Sequence, residues 1–168
     1  MALAQIGGAT AEEIRNAMAS FGGVDRRFDF KLKNERVVLL SDYAHHPAEI
    51  KQSVTSIRTL YPNRKITAVF QPHLYTRTRD FYQEFADSLS LLDEVILLDI
   101  YPAREAPIPG VTSELIYNSL RPDMQKCICK KEELIELLKN KPIDVLITLG
   151  AGDIDNYVPQ IYDILKDR

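Results

Sequence analysis

The chain reads as an α/β domain, doubly wound, with a mostly parallel sheet and a β-hairpin at its start. Three observations predict this. Short and almost wholly apolar runs, such as "ITAVF" and "VLITL", lack the polar alternation of half-exposed strands, which marks them as buried on both faces. Between them lie segments with apolar residues three and four apart, the spacing of helices that cover a sheet. The length of 168 residues, 45 % of them hydrophobic, suffices for one core covered on both sides.

Each element follows in order. Thr10 and Glu13 form a capping box, in which hydroxyl and carboxylate satisfy the exposed amides of a helix start. Ile14, Met18 and Phe21 then share one face, so a helix is expected over residues 10–20, ended by Gly22-Gly23. With "QIGGA" before it, this helix reads as the remnant of another element, and the Gly-Gly break as the domain boundary. Next, "RRFDFKLKNERVVLLSDYA" reads as two strands around a turn at Lys33-Asn34-Glu35, the second running to Leu40. Pro47 suits the first turn of a helix striped by Ile50, Val54, Ile57 and Leu60. Strands are expected at 66–70, 95–100, 126–129 and 145–149, and helices at 78–92, 113–120, 131–140 and 157–165. Such an alternation is Rossmann-like.

Composition excludes several classes. A net charge of -3 disfavours a nucleic-acid polyanion as the main partner. No apolar run approaches the roughly 18 to 20 residues that span a bilayer, and the start lacks the charged and apolar regions of a signal peptide. Cys127 and Cys129 form a lone C-x-C pair, too sparse for a disulfide framework or a zinc site. A cytoplasmic protein with reduced cysteines is expected.

In an open parallel sheet, ligands bind beyond the carboxyl ends of the strands. The residues that follow the expected strands are Asp42, Tyr43, His45 and His46; Gln71, His73, Arg77 and Arg79; Tyr101, Arg104 and Glu105; and "GAGD", Gly150 to Asp153. All three histidines fall on this edge. A single histidine at a helix start is commonly a cap, and His46, beside Pro47, fits that role best. The glycines of "GAGD" can serve a tight turn alone, and "IYPARE" can be a plain loop. Three histidines with arginines on one edge point instead to a site. Asp42, His45, His73 and Asp153 could hold a divalent ion in a hydrolase. The nearby arginines oppose a cation and suit a carboxylate or phosphate. There is no phosphate loop and no G-x-G-x-x-G fingerprint, so this segment cannot cradle a triphosphate alone in the usual way.

Five stretches, "FGGVDRRFDF", "SDYAHHPAEI", "FQPHLYTRTRDFYQEFADSL", "LLDIYPAREAPIPGV" and "LGAGDI", occur in that order. Together they resemble the C-terminal domain of the Mur ligases, in the branch that joins L-alanine to UDP-N-acetylmuramate. The resemblance implies an ATP-dependent, amide-forming ligase of peptidoglycan precursor synthesis, hence of cell-wall biogenesis, cell shape and division. It implies ATP and Mg²⁺ in the full-length enzyme, with none held tightly by this domain alone. It further implies an acyl phosphate on UDP-N-acetylmuramate that the amine of L-alanine attacks. Residues 1–23 would be the end of a central ATPase domain and residues 24–168 the Rossmann-like domain, inactive without the missing domains. By motif, Arg27 and Asp42 match residues that contact ATP. Tyr43, His45, His73 and Arg77 match those around L-alanine, with His45 or His73 handling the amine proton. The murein-tripeptide recycling ligase shares the "AHHP" element and ranks below. Two positions depart from the pattern: Ser41, where an aspartate is usual, and Leu74, where an arginine is frequent.

Overall fold

The computed structural model describes residues 2–168; Met1, the first residue of the expected 1–23 segment, lies outside the described residues. The chain opens with two helices, α1 (Ala2–Ile6) and α2 (Ala11–Ser20), neither of which buries a residue. The capping box at α2 is present: Glu13 N–H donates to Thr10 Oγ1 at 3.2 Å, and Thr10 N–H donates to Glu13 Oε2 at 2.8 Å.

A six-stranded sheet follows, in the order β1-β2-β6-β3-β4-β5. Strand β1 (Asp29–Lys33) pairs antiparallel with β2 (Val38–Asp42), the expected hairpin, with a register shift between Phe30 and Leu32. The turn is held by Asn34, whose Oδ1 accepts from the amides of Arg36 and Val37 at 2.9 and 2.7 Å. The remaining strands, β3 (Ile66–Phe70), β4 (Glu94–Leu97), β5 (Gln125–Ile128) and β6 (Val145–Leu149), are parallel to β2. The last strand lies in the middle, between β2 and β3.

Helices α3 (Pro47–Leu60), α4 (Tyr75–Leu89) and α5 (Glu114–Ser119) cover one face. Their Ile50, Val54, Ile57, Phe85, Leu89 and Ile116 pack on Val38, Leu40, Ala68, Phe70 and Ile147. Helices α6 (Lys131–Lys139) and α7 (Val158–Leu165) cover the other, with Leu134, Leu138, Val158, Ile161 and Leu165 against Leu39, Val69, Ile96 and Leu146. Alternate residues of each strand therefore serve the two cores, the period-two consequence of the pleat. Full burial of one such side chain contributes about 1.5–3 kcal/mol, and Phe70 and Phe85, with ring centroids 5.3 Å apart, are the largest pair.

Several boundaries differ from the sequence expectation, among them the end of β2, at Asp42 rather than Leu40, and the end of α4, at Leu89 rather than 92. Helix α4 begins at Tyr75 rather than at 78, because Glu105, from the loop after β4, caps its first turn. Strand β4 ends at Leu97 rather than at 100, although Leu98 N–H still donates to the Phe70 carbonyl at 2.9 Å before the chain turns away. A 3₁₀ turn, Asp153–Tyr157, leads into the last helix, which starts at Val158, one residue after the expected 157.

Candidate functional site

The carboxyl ends of β2 and β3 deliver the histidines to one place. The ring of His45 lies 5.3 Å from that of Tyr43 and 5.9 Å from that of His73, centroid to centroid, both edge-on. His73 in turn stacks on Tyr101, 5.6 Å away, and its main chain bridges to Tyr101 in parallel. Arg77, one turn into α4, brings Nη1 to 3.4 Å from His73 Nδ1. Thus Tyr43 and His45 from the β2–α3 junction meet His73 and Arg77 from the β3–α4 junction. His46 is set apart: it precedes α3 at the N-cap and packs on Phe81, 5.2 Å away, the structural role foreseen for it.

Local bonding sets each ring. Glu49, on the first turn of α3, accepts from the amides of His45 and His46 at 3.0 and 3.2 Å, and its Oε2 lies 3.3 Å from His45 Nδ1. Burial pushes the Glu49 carboxyl up, but the His45 amide and imidazole, the His46 amide and Arg27 together hold it below the usual range. Burial, then Arg77 and His45, lowers the pKa of His73, with Glu105 opposing, so its surroundings favour the neutral ring. Before His73's helix, Leu74 adopts φ 73° and ψ 135°, a conformation costly for any side chain. It is held by Leu74 N–H donating to the Tyr101 carbonyl at 2.9 Å.

The arginines divide by availability. Arg77 is half-buried, and among the described residues it makes no ion pair, so its guanidinium is free for a carboxylate. Arg79 is exposed and paired to Asp80 at 2.7 Å, which leaves Arg77 as the cation beside the histidines. The Arg27 guanidinium lies 5.0 Å over the Tyr43 ring and Arg26 lies 4.7 Å from it, so two cations flank one tyrosine. Arg26 also pairs with Asp155 at 3.2 Å, whereas Arg27 is exposed and suited to an anion such as a phosphate.

Asp42 stands differently from the expectation of a nucleotide contact. It is 7 % exposed, its Oδ2 accepts from Ser53 Oγ and its Oδ1 accepts from the Ala44 amide at 3.2 Å. The carboxylate thus braces the β2–α3 junction. The metal alternative loses its ligand set as well: among the described residues no three His, Cys, Asp or Glu side chains converge as a cation site. Asp153 is occupied by Lys131 at 2.5 Å and by Gln71 Nε2 at 2.7 Å. "GAGD" is the tight junction that its glycines permit, since a Cβ on Gly150 would lie 2.7 Å from the Gln71 carbonyl oxygen. Sequence reasoning passed over Glu49 and Arg26; the N-cap-plus-three spacing of Glu49 from His46 was the signal for the first, and nothing in the sequence signalled the second.

A wound sheet whose carboxyl edge carries imidazoles, a guanidinium without an ion pair and a tyrosine between cations has the chemistry that suits a small anionic or zwitterionic ligand. Its family is that of the Mur ligases, to which the chain belongs: the family model described as "Mur ligase, glutamate ligase domain" matches residues 26–152. The chain is 72 % identical over its whole length to the UDP-N-acetylmuramate–L-alanine ligase of Phocaeicola vulgatus, and 54 % identical over 98 % of its length to that of Parabacteroides distasonis. It spans 37 % and 36 % of those relatives. A crystal structure of the UDP-N-acetylmuramate–alanine ligase of Thermotoga maritima superposes with a TM-score of 0.78 at 27 % identity, over 99 % of this chain and 36 % of that one. A murein peptide ligase from Psychrobacter arcticus shares the fold, with a TM-score of 0.69 at 17 % identity, over 99 % of this chain and 35 % of that one. No helix among the described residues is long and apolar enough to cross a membrane.

Proposed function

We propose that this chain is the amino-acid-capturing C-terminal domain of a cytoplasmic, ATP-dependent ligase that joins L-alanine to UDP-N-acetylmuramate through an acyl phosphate. The observation that carries this reading is the convergence of Tyr43, His45, His73 and Arg77 at one edge of the sheet. Arg77 binds the carboxylate of the amino acid, and the histidines meet its amine. Holding the amine against an acyl carbon turns a bimolecular encounter into a positioned one, and a closed cleft keeps water from the activated carboxyl. Arg27, exposed over Tyr43, meets the phosphates of ATP. ATP brings Mg²⁺ with it, and no residue of this chain is assigned to the ion. Residues 2–23, which bury nothing, belong with a preceding domain.

The test uses the full-length protein with UDP-N-acetylmuramate, ATP and single amino acids. L-Alanine should drive phosphate release. Replacing His45 by Ala should lower kcat/KM for L-alanine far more than for ATP. Turnover with a different amino acid alone, or an equal loss toward both substrates, would overturn the assignment.

A further inference from the structure

The two site histidines are not equivalent, because each Nδ1 already has a partner of fixed polarity. The Tyr43 carbonyl can only accept, so His45 Nδ1, 2.9 Å away, carries a proton. The Glu49 carboxylate beside the same nitrogen favours that state. The Arg77 guanidinium can only donate, so His73 Nδ1, 3.4 Å from its Nη1, is the bare nitrogen. In neutral imidazoles, Nε2 is then bare on His45 and protonated on His73.

We propose that the two rings divide the amide-forming step: His45 Nε2 takes the proton that the amine sheds, and His73 Nε2–H donates to a negatively charged oxygen of the acyl phosphate. This rests on the ligase reading above. In that step the nitrogen lone pair forms the C–N bond, and the C–O bond to phosphate breaks, its electron pair leaving with the phosphate. The surplus proton passes from nitrogen to His45, while His73 keeps its own. The Glu49 carboxylate then faces the imidazolium so formed, which makes Glu49 a positioning residue. The low pKa of His73, set first by burial and then by Arg77 and His45, suits a donor that stays neutral.

Long-range ¹H–¹⁵N spectra of the ¹⁵N-labelled chain at about pH 8, above the ordinary histidine range, read both tautomers without substrate. Protonated Nδ1 on His45 and protonated Nε2 on His73 are expected, and the opposite state on either ring overturns the proposal. In the full-length protein, His73→Gln keeps an N–H donor at that position, whereas His45→Gln cannot take up a proton. The first should hold kcat to within about tenfold and the second should lose about 10²–10⁴-fold, the span of general-base catalysis. Equal losses, or the reverse order, overturn the division. Absence of L-alanine-dependent turnover in the unaltered full-length protein sinks the ligase reading and the assigned step with it, yet leaves the tautomers as measured, so the two failures are told apart.

Discussion

Gly152 stands where two neighbours leave no room for a side chain. A Cβ there would lie 2.3 Å from Gln71 Oε1 and 2.8 Å from Tyr101 Cβ. Gln71 cannot easily give way, since it is 1 % exposed and its amide bonds Asp153 and the Ile154 N–H. Gly152→Ala should therefore destabilise the chain by the ordinary cost of overpacking, about 1–3 kcal/mol, read as a lower midpoint in urea. It should also displace Tyr101 from His73. A glycine-rich turn was visible in the sequence, but the reason for its glycines was not, because Gln71 and Tyr101 reach it from other strands. The same limit applies to Asp42. Its place after a strand suggested a ligand contact, whereas the side chain turns inward to Ser53, 11 residues later on α3.

Helices α3 and α4 both present their first turns to the site, and each borrows a carboxylate to do so. At α3 the cap is local, since Glu49 accepts from the amides of His45 and His46. Glu49→Ala should cost about 0.5–2 kcal/mol, the usual range for a lost cap, while Glu49→Gln, which keeps an acceptor oxygen, should cost less; thermal melts of the two variants compare them. At α4 the cap is distant. Glu105 accepts from Thr76 N–H at 2.9 Å and from Thr76 Oγ1 at 2.5 Å, 29 residues back along the chain. The Thr76 hydroxyl, then its amide, hold the Glu105 carboxyl below its ordinary value of 4.5. A carboxyl with a lowered folded pKa contributes stability that is present above the unfolded value and lost as pH falls through the folded one. The melting temperature of Glu105→Gln should accordingly change less than that of the unaltered chain as pH falls from about 5 to about 3, across the ordinary carboxylate range. Apolar periodicity located the body of α4, with Phe81, Phe85 and Leu89. Its first turn, Tyr75 to Arg77, has no such signal, and a cap from another loop leaves no trace in local sequence.

At the scale of the molecule, the wound sheet was legible because strands buried on both faces and amphipathic helices differ sharply in pattern. The strand order was not, since nothing in "VLITL" says that it enters the centre. The opening helices are the part the core does not use: Leu3 and Ile6 are each 83 % exposed and Phe21 is 57 % exposed. A chain starting at Val24 should melt within about 2 °C of the longer one, less than the shift that about 1 kcal/mol produces in a domain of this size. A fall of many degrees would show that these helices do support the sheet. The central placement of β6 reaches further, into how the polypeptide comes to exist. On a ribosome, β2 and β3 emerge long before the segment that must sit between them, so the sheet stays cleft until residue 149 is out. Pairings so distant in sequence close slowly. The β2 and β3 edges therefore stay unjoined from the emergence of residue 70 until that of residue 149, and open edges of this kind are the ones that pair with other chains.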